Sequence, residues 1–288
     1  MITIDPKEVS VPKLHGYLLS AVAPRPIAFA STIDAEGSIN LSPFSFFNVF
    51  SANPPILIFS PARRGRDNTT KHTYENVLEV KEVVINIVNY AMVQQMSLSS
   101  TEYAKGVNEF VKAGLTPIAS ETVRPPRVKE SPVQLECKIN DVVQLGTEGG
   151  AGNLVICEVL KMHIQEDYLD SEGRIDQQKL DAVARMGGNW YTRATTGMFE
   201  VPKPLSTLGV GIDQLPESIR HSNVLTGNDL GIIGNVERIP SKEEITEFII
   251  QNKVDLSSLK SEEIHTLAQK YIQEGEPLSA LKVLLAKQ

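Results

Sequence analysis

The sequence predicts a mainly β fold with peripheral helices, an α+β architecture, followed by a helical C-terminal extension. Three observations carry that expectation. Short runs rich in β-branched residues recur through the first 200 positions, such as Ile56 to Ser60 and Val83 to Val88 (VVINIV); such runs fit strands covered on both faces. Glycine and proline clusters punctuate them. From Ser241 onward the pattern turns helical, with Ser241-Lys242-Glu243-Glu244 spelling a capping box.

Taken in order, Ile27 to Thr32 alternates apolar and small residues and reads as a strand. Asp34-Ala35-Glu36-Gly37 then closes a hairpin, with glycine supplying a positive φ. The polar-aromatic segment Ser42-Pro43-Phe44-Ser45-Phe46-Phe47-Asn48 follows, and Asn53-Pro54-Pro55 holds the chain extended before the next strand. Thr69 to Val80 has helical spacing, which puts Thr69, Thr70 and Lys71 at or before a helix N-terminus. Thr101 to Phe110 reads as a short helix ending before Gly114. Val133 to Leu145 and Leu154 to Gln165 return to strand periodicity, with Gly146, Gly149, Gly150 and Gly152 turning between them. Asp176 to Ala184 reads as a short helix before the loop Arg185 to Tyr191. Composition shifts near Pro202-Lys203-Pro204, so the expected division is a domain at 1–204 and a linker with helical extension at 205–288. Turn residues Gly209, Gly211, Pro216, Gly227 and Gly231 mark that linker, and Leu267, Tyr271, Leu278 and Leu281 give the tail an amphipathic stripe.

The 288 residues hold 35 Asp plus Glu against 28 Lys plus Arg, a net charge of -7. Nucleic-acid affinity is dominated by cationic contacts, so this balance argues against such a partner. No apolar run reaches the roughly 20 residues that span a bilayer, and MITIDPKEV lacks the basic and apolar regions of a secretory signal. The expectation is a cytoplasmic protein without a membrane partner. Cys137 and Cys157 lie in strand-like runs without C-x-x-C spacing and read as buried, inert thiols. The five histidines have no metal-ligand spacing. Neither G-x-G-x-x-G, G-x-x-x-x-G-K-[ST] nor G-x-S-x-G occurs.

Three segments carry chemistry. Ser42 to Asn48 sets hydroxyls, a carboxamide and backbone amides beside flat apolar rings, which suits a planar heterocycle with polar edges; it is also an ordinary aromatic strand face. Arg66 to Thr73 supplies hydroxyls and Lys71 before a helix, a pattern that fits either a phosphate dianion or a plain polar cap. In Arg185-Met186-Gly187-Gly188-Asn189-Trp190-Tyr191, paired glycines permit close approach to a ring or a simple helix stop. Arg25, between Pro24 and Pro26, is a further anion contact or a loop brace.

PRPIAFAST, the D-x-E-G turn, SPFSFFN and NPP together resemble the flavin reductase-like family. GVNEFVKAGLTPI, RPPRVKESPVQLEC, VICEVLKMHI and the R-x-G-G-x-x-Y-like run extend the resemblance, in the family's order, over about residues 10 to 200. Family members often carry Lys-Asp-Thr where this chain has Lys71-His72-Thr73. The resemblance implies an FMN-binding split β-barrel acting as an NAD(P)H:flavin oxidoreductase or, alternatively, as a flavoredoxin-like electron carrier with a protein partner. It also implies a homodimer. The cofactor-binding residues it implies are Arg25, Ser31, Thr32, Ser42, Pro43, Phe44, Ser45, Asn48, Thr69, Thr70, Lys71, Thr73, Gly187, Gly188, Trp190 and Tyr191. No catalytic acid or base is identified, because hydride transfer belongs to the cofactor.

Overall fold

The computed structural model describes residues 1–201 and 208–287. It divides into two compact units, Met1–Phe199 and Glu200–Gln288. The composition shift at Pro202 to Pro204 lies outside the described residues.

The first unit opens with α1 (Val11–Ala21), which carries a proline in its first turn, and β1 (Ala28–Ile33) follows. β2 (Ile39–Phe44), β3 (Phe47–Ala52) and β4 (Pro55–Phe59) come next, then α2 (His72–Glu79) and β5 (Glu82–Ile87). The helices α3 (Val93–Leu98) and α4 (Glu109–Ala113) precede a small ladder of β6 (Pro117–Ile118) and β7 (Arg127–Val128). The long hairpin of β8 (Val133–Gln144) and β9 (Asn153–Ile164) is followed by α5 (Gln177–Leu180) and a second small ladder, β10 (Val183–Arg185) with β11 (Tyr191–Arg193).

Seven strands form one antiparallel sheet in the order β2-β1-β5-β8-β9-β4-β3. Its two end strands, β2 and β3, are consecutive in the chain and separated only by Ser45 and Phe46. The sheet therefore curls until its ends meet at a turn, without a ladder joining them. That open seam is what makes the barrel split.

The pleat distributes the core. Ala28 and Ala30 of β1 point with Ile85, Leu135, Cys137 and Cys157 into the lumen. Phe29 points the other way and packs with Leu41, Met96 and Phe110 beneath α3 and α4. All six residues of β1 are consequently buried. Both cysteines are free and buried, as expected, and the hydrogen bond with the Cys157 sulfur, followed by burial, pushes the Cys137 thiol up.

The expected hairpin is present: Gly37 has φ +88, and Ser38 donates its N–H to the Asp34 carboxylate at 2.7 Å. Two expected helices are corrected. Thr101 to Asn108 is not helical; Gly106 takes φ +86, and Asn108 caps the shorter α4 by accepting the Phe110 N–H at 3.0 Å. The helix expected over Asp176 to Ala184 stops at Leu180, where Asp181 turns left-handed, and Val183 to Arg185 is strand. The helix α1 was not expected at all. Each of its apolar residues is at least partly exposed, so no buried stripe marks it.

The second unit is helical: α6 (Glu217–Arg220), α7 (Gly227–Gly234), α8 (Lys242–Gln251), α9 (Ser261–Gln273) and α10 (Pro277–Leu285). The Ser241–Glu244 capping box forms as expected. Where a linker was expected, α6 and α7 occur instead. Thr226 and Asp229 form a second capping box, and Ile219 and Ile233 are fully buried with Leu281 and Leu284. Among the described residues, no helix is long and apolar enough to cross a membrane.

Candidate flavin site at the barrel seam

At the seam, β2 is an edge strand with one ladder partner, so every second residue turns its backbone groups outward. Leu41 donates its N–H in that direction to Glu109 at 3.0 Å. Pro43 faces the same edge and has no N–H to satisfy, which is why proline is tolerated there. From this point the chain bends through Ser45 and Phe46, and Ser60 closes the bend by donating its N–H to the Phe46 carbonyl at 2.9 Å.

Beside the bend lies a cleft of about 540 Å³, within the range of small-molecule sites. Ser42, Pro43, Phe44, Ser45 and Phe46 form one wall. His15 and Leu19 of α1 form a second, with the His15 ring edge-on to Phe46 at 6.2 Å between centroids. Much of the rest is cationic: Arg25, Arg63, Arg64, Arg66, Arg185 and Lys71 all line the cleft, against one carboxylate, Glu102. Six cations gathered in one cleft of a chain with net charge -7 make a focused positive field.

The loop between β4 and α2 holds most of that charge and is braced rather than loose. Arg63 grips Asn68 with Nε on the side-chain oxygen and a terminal nitrogen on the carbonyl, both at 2.6 Å. Arg64 donates to the Thr69 hydroxyl at 2.9 Å and to the Thr70 carbonyl. Underneath runs the β8–β9 turn. A Cβ on Gly149 would lie 3.1 Å from the Arg64 carbonyl oxygen, and one on Gly152 would lie 2.8 Å from the Ser60 hydroxyl. Those glycines let the two backbones touch.

Charges in and beside the cleft act on one another. Burial works against ionisation of Glu102, but its hydrogen bond from Arg64 and the charges of Arg66 and Lys71 hold its carboxyl below the usual range. Asp67 is drawn to about 2, first by the Thr69 hydroxyl and then by the Thr69 N–H. Burial, more than the neighbouring cations, holds the His72 imidazole down and favours its neutral form.

Of the residues singled out from the sequence, Arg25, Ser42, Pro43, Phe44, Ser45 and Lys71 line this cleft. Arg25 does so as a brace: its guanidinium donates to the carbonyls of Leu19 and Val22 at the end of α1, and to Met186 at 3.0 Å. The other residues lie elsewhere. Ser31 and Thr32 are fully buried in β1, where Thr32 accepts from Asn76 at 3.2 Å. Asn48 is exposed on β3 and bonds its own neighbour Val49. Thr69 and Thr70 orient Arg64, Thr70 also donating its hydroxyl to Glu75 at 2.7 Å, and Thr73 accepts from Asn40 at 2.7 Å. Gly187, Gly188, Trp190 and Tyr191 line a different, shallower cleft with Ser20 and Met186. Gly187 is there because a Cβ would stand 3.1 Å from the Ser20 Cα.

Sequence reading missed His15, Arg63, Arg64 and Glu102. The signal for the arginines was present, since Pro61-Ala62-Arg63-Arg64-Gly65-Arg66 is a dense basic run in an acidic chain, placed directly after a strand.

An antiparallel split barrel with a cationic, hydroxyl-lined cleft at its seam defines a class of proteins suited to a phosphorylated planar cofactor. The model of the flavin reductase like domain matches residues 20–179, and the chain belongs to that family. It is 38% identical over 188 residues to a protein of Aquifex aeolicus, covering 65% of this chain and 93% of that one. Among solved structures it is similar to nitrilotriacetate monooxygenase component B from Bacillus cereus, at 30% identity and a TM-score of 0.65, covering 70% of this chain and 98% of that one. It is also similar to a split barrel protein of the flavin reductase type from Shewanella frigidimarina, at 26% identity and a TM-score of 0.59, covering 70% and 100%. The family is one of flavin-binding oxidoreductases.

Proposed function

We propose that the chain binds FMN in the seam cleft and passes hydride from NAD(P)H to the flavin. The observation that carries this reading is the pairing, in one cleft, of a strand-edge wall with a braced cluster of cations. A flavin has the same two halves, a ring with hydrogen-bonding edges and a phosphate dianion. Ser42 to Phe46 offer backbone groups, two hydroxyls and aromatic faces to the ring. Arg63, Arg64, Arg66 and Lys71 offer their charge to the phosphate, and Arg25 holds α1 and the Met186 loop as a fixed frame.

FMN, when bound, supplies the hydride-accepting ring nitrogen and the electron storage. The chain's own work is to hold that ring at one orientation, keep its phosphate neutralised and leave one face open to the nicotinamide. Hydride transfer itself requires no side-chain acid or base.

We also read the protein as a homodimer. Val49 and Phe50 on the end strand β3 are both more than 60% exposed, and so are Val11 and Val22 of α1. A second copy is the partner whose matching faces would cover them.

The test is direct. The protein is loaded with FMN, desalted, and titrated anaerobically with NADH and with NADPH. Retained flavin that bleaches supports the reductase and identifies the preferred nucleotide. Retained flavin that stays oxidised points to a flavoredoxin-like carrier reduced by a protein partner, and no retained flavin argues against tight FMN binding.

A further inference from the structure

Glu102 stands in the middle of the cationic loop although it belongs to another segment, the connection between α3 and α4. Its carboxylate lies 3.1 Å from Arg64 Nε, 3.5 Å from Lys71 Nζ and in contact with the Arg66 guanidinium. These are the contacts a phosphate oxygen makes with a cationic cradle. Arg64 is held independently by Thr69 and Thr70, so it keeps its position when Glu102 leaves. The segment that carries Glu102 has short-range main-chain bonds, Thr101 N–H to Leu98 at 3.1 Å and Tyr103 N–H to Thr101 at 2.8 Å. Withdrawing the side chain therefore does not require breaking the sheet.

We propose that Glu102 is an internal counter-anion that occupies the phosphate position and must be displaced when a phosphorylated flavin binds. The idea rests on the reading of the seam cleft as the flavin site. It makes Glu102 a determinant of specificity: it taxes every ligand that needs the cradle, and leaves untouched a flavin that has no phosphate. Concentrated cations repel one another, and Glu102, together with Asp67 at 3.1 Å from Arg66, relieves that repulsion in the free protein.

The experiment compares wild type with Glu102→Gln and Glu102→Ala, measuring dissociation constants for FMN and for riboflavin by quenching of flavin fluorescence. Thermal melting of each variant checks that it is folded. Both variants are expected to bind FMN about tenfold tighter than wild type, with riboflavin affinity unchanged. Raising the salt concentration narrows the FMN difference. Equal or weaker FMN binding by both folded variants overturns the role of Glu102 and leaves the flavin site standing. Loss of all flavin binding in wild type and variants alike overturns the site and the inference with it.

Discussion

The carboxylate of Glu109 accepts the main-chain N–H of Leu41 at 3.0 Å, with both residues buried. Glu109 opens α4 and Leu41 immediately precedes Ser42, so a helix outside the barrel fixes the edge strand that walls the seam cleft. Glu109→Ala leaves that N–H without a partner and is expected to cost about 1–3 kcal/mol of stability. Glu109→Gln keeps an acceptor oxygen and loses less. Urea denaturation of the two variants checks the ranking; a Gln variant as weak as the Ala variant contradicts it.

Glu109 and Glu136 impose opposite pH dependences. Burial raises the Glu109 carboxyl, against the opposing pull of the Leu41 N–H. The folded state then holds its proton more tightly than the unfolded chain, and this contribution fades as pH climbs from the ordinary carboxylate range through the folded value. Glu136 is also buried, but the Thr122 hydroxyl, the N–H groups of Glu121 and Thr122, and His163 together draw it down to about 2. Its contribution is complete above the ordinary carboxylate range and is lost as pH falls toward 2. Acid unfolding followed by circular dichroism is expected to shift to higher pH in Glu136→Gln, and an unchanged acid midpoint counts against this.

Gly149→Ala probes the support beneath the cationic loop. The added Cβ meets the Arg64 carbonyl at 3.1 Å and the Gly65 Cα at 3.2 Å, so the loop must lift. The expected outcome is a stability loss of about 1 kcal/mol together with weaker FMN binding, while riboflavin affinity holds. Parallel fluorescence titrations with the two flavins read this out.

Trp190 is the single tryptophan and is 78% exposed, in the cleft beside Ser20 rather than in the seam cleft. Trp190→Phe is expected to change FMN affinity by no more than about twofold, as for most surface substitutions. A tenfold loss would mean that the indole reaches the flavin.

Much of the barrel was legible because its strands are dense in β-branched residues and its turns carry Gly37 and the glycines of the β8–β9 connection. The Ser42 to Phe46 wall was legible because hydroxyls and aromatics alternate there in a few residues. Legibility failed where a residue acts at long range. Glu102 is unremarkable in its local sequence and becomes central only when the chain brings it to Arg64 and Arg66. Glu109 reads as an ordinary first-turn acid until Leu41 is seen at its carboxylate. The Arg185 to Tyr191 run depends on a contact of the same kind: a Cβ on Gly187 would stand 3.1 Å from the Cα of Ser20, far away in sequence.

The most direct test of the seam cleft as the flavin site compares FMN dissociation constants for Lys71→Ala and His163→Ala against wild type. Lys71 lines the cationic cleft, whereas His163 bonds Glu136 at 2.8 Å and does not line it. Lys71→Ala is expected to weaken FMN binding about tenfold, the effect of losing one charge-assisted contact to phosphate, with His163→Ala close to wild type. Equal dissociation constants for the two variants would contradict the assignment of this cleft to the phosphate of FMN.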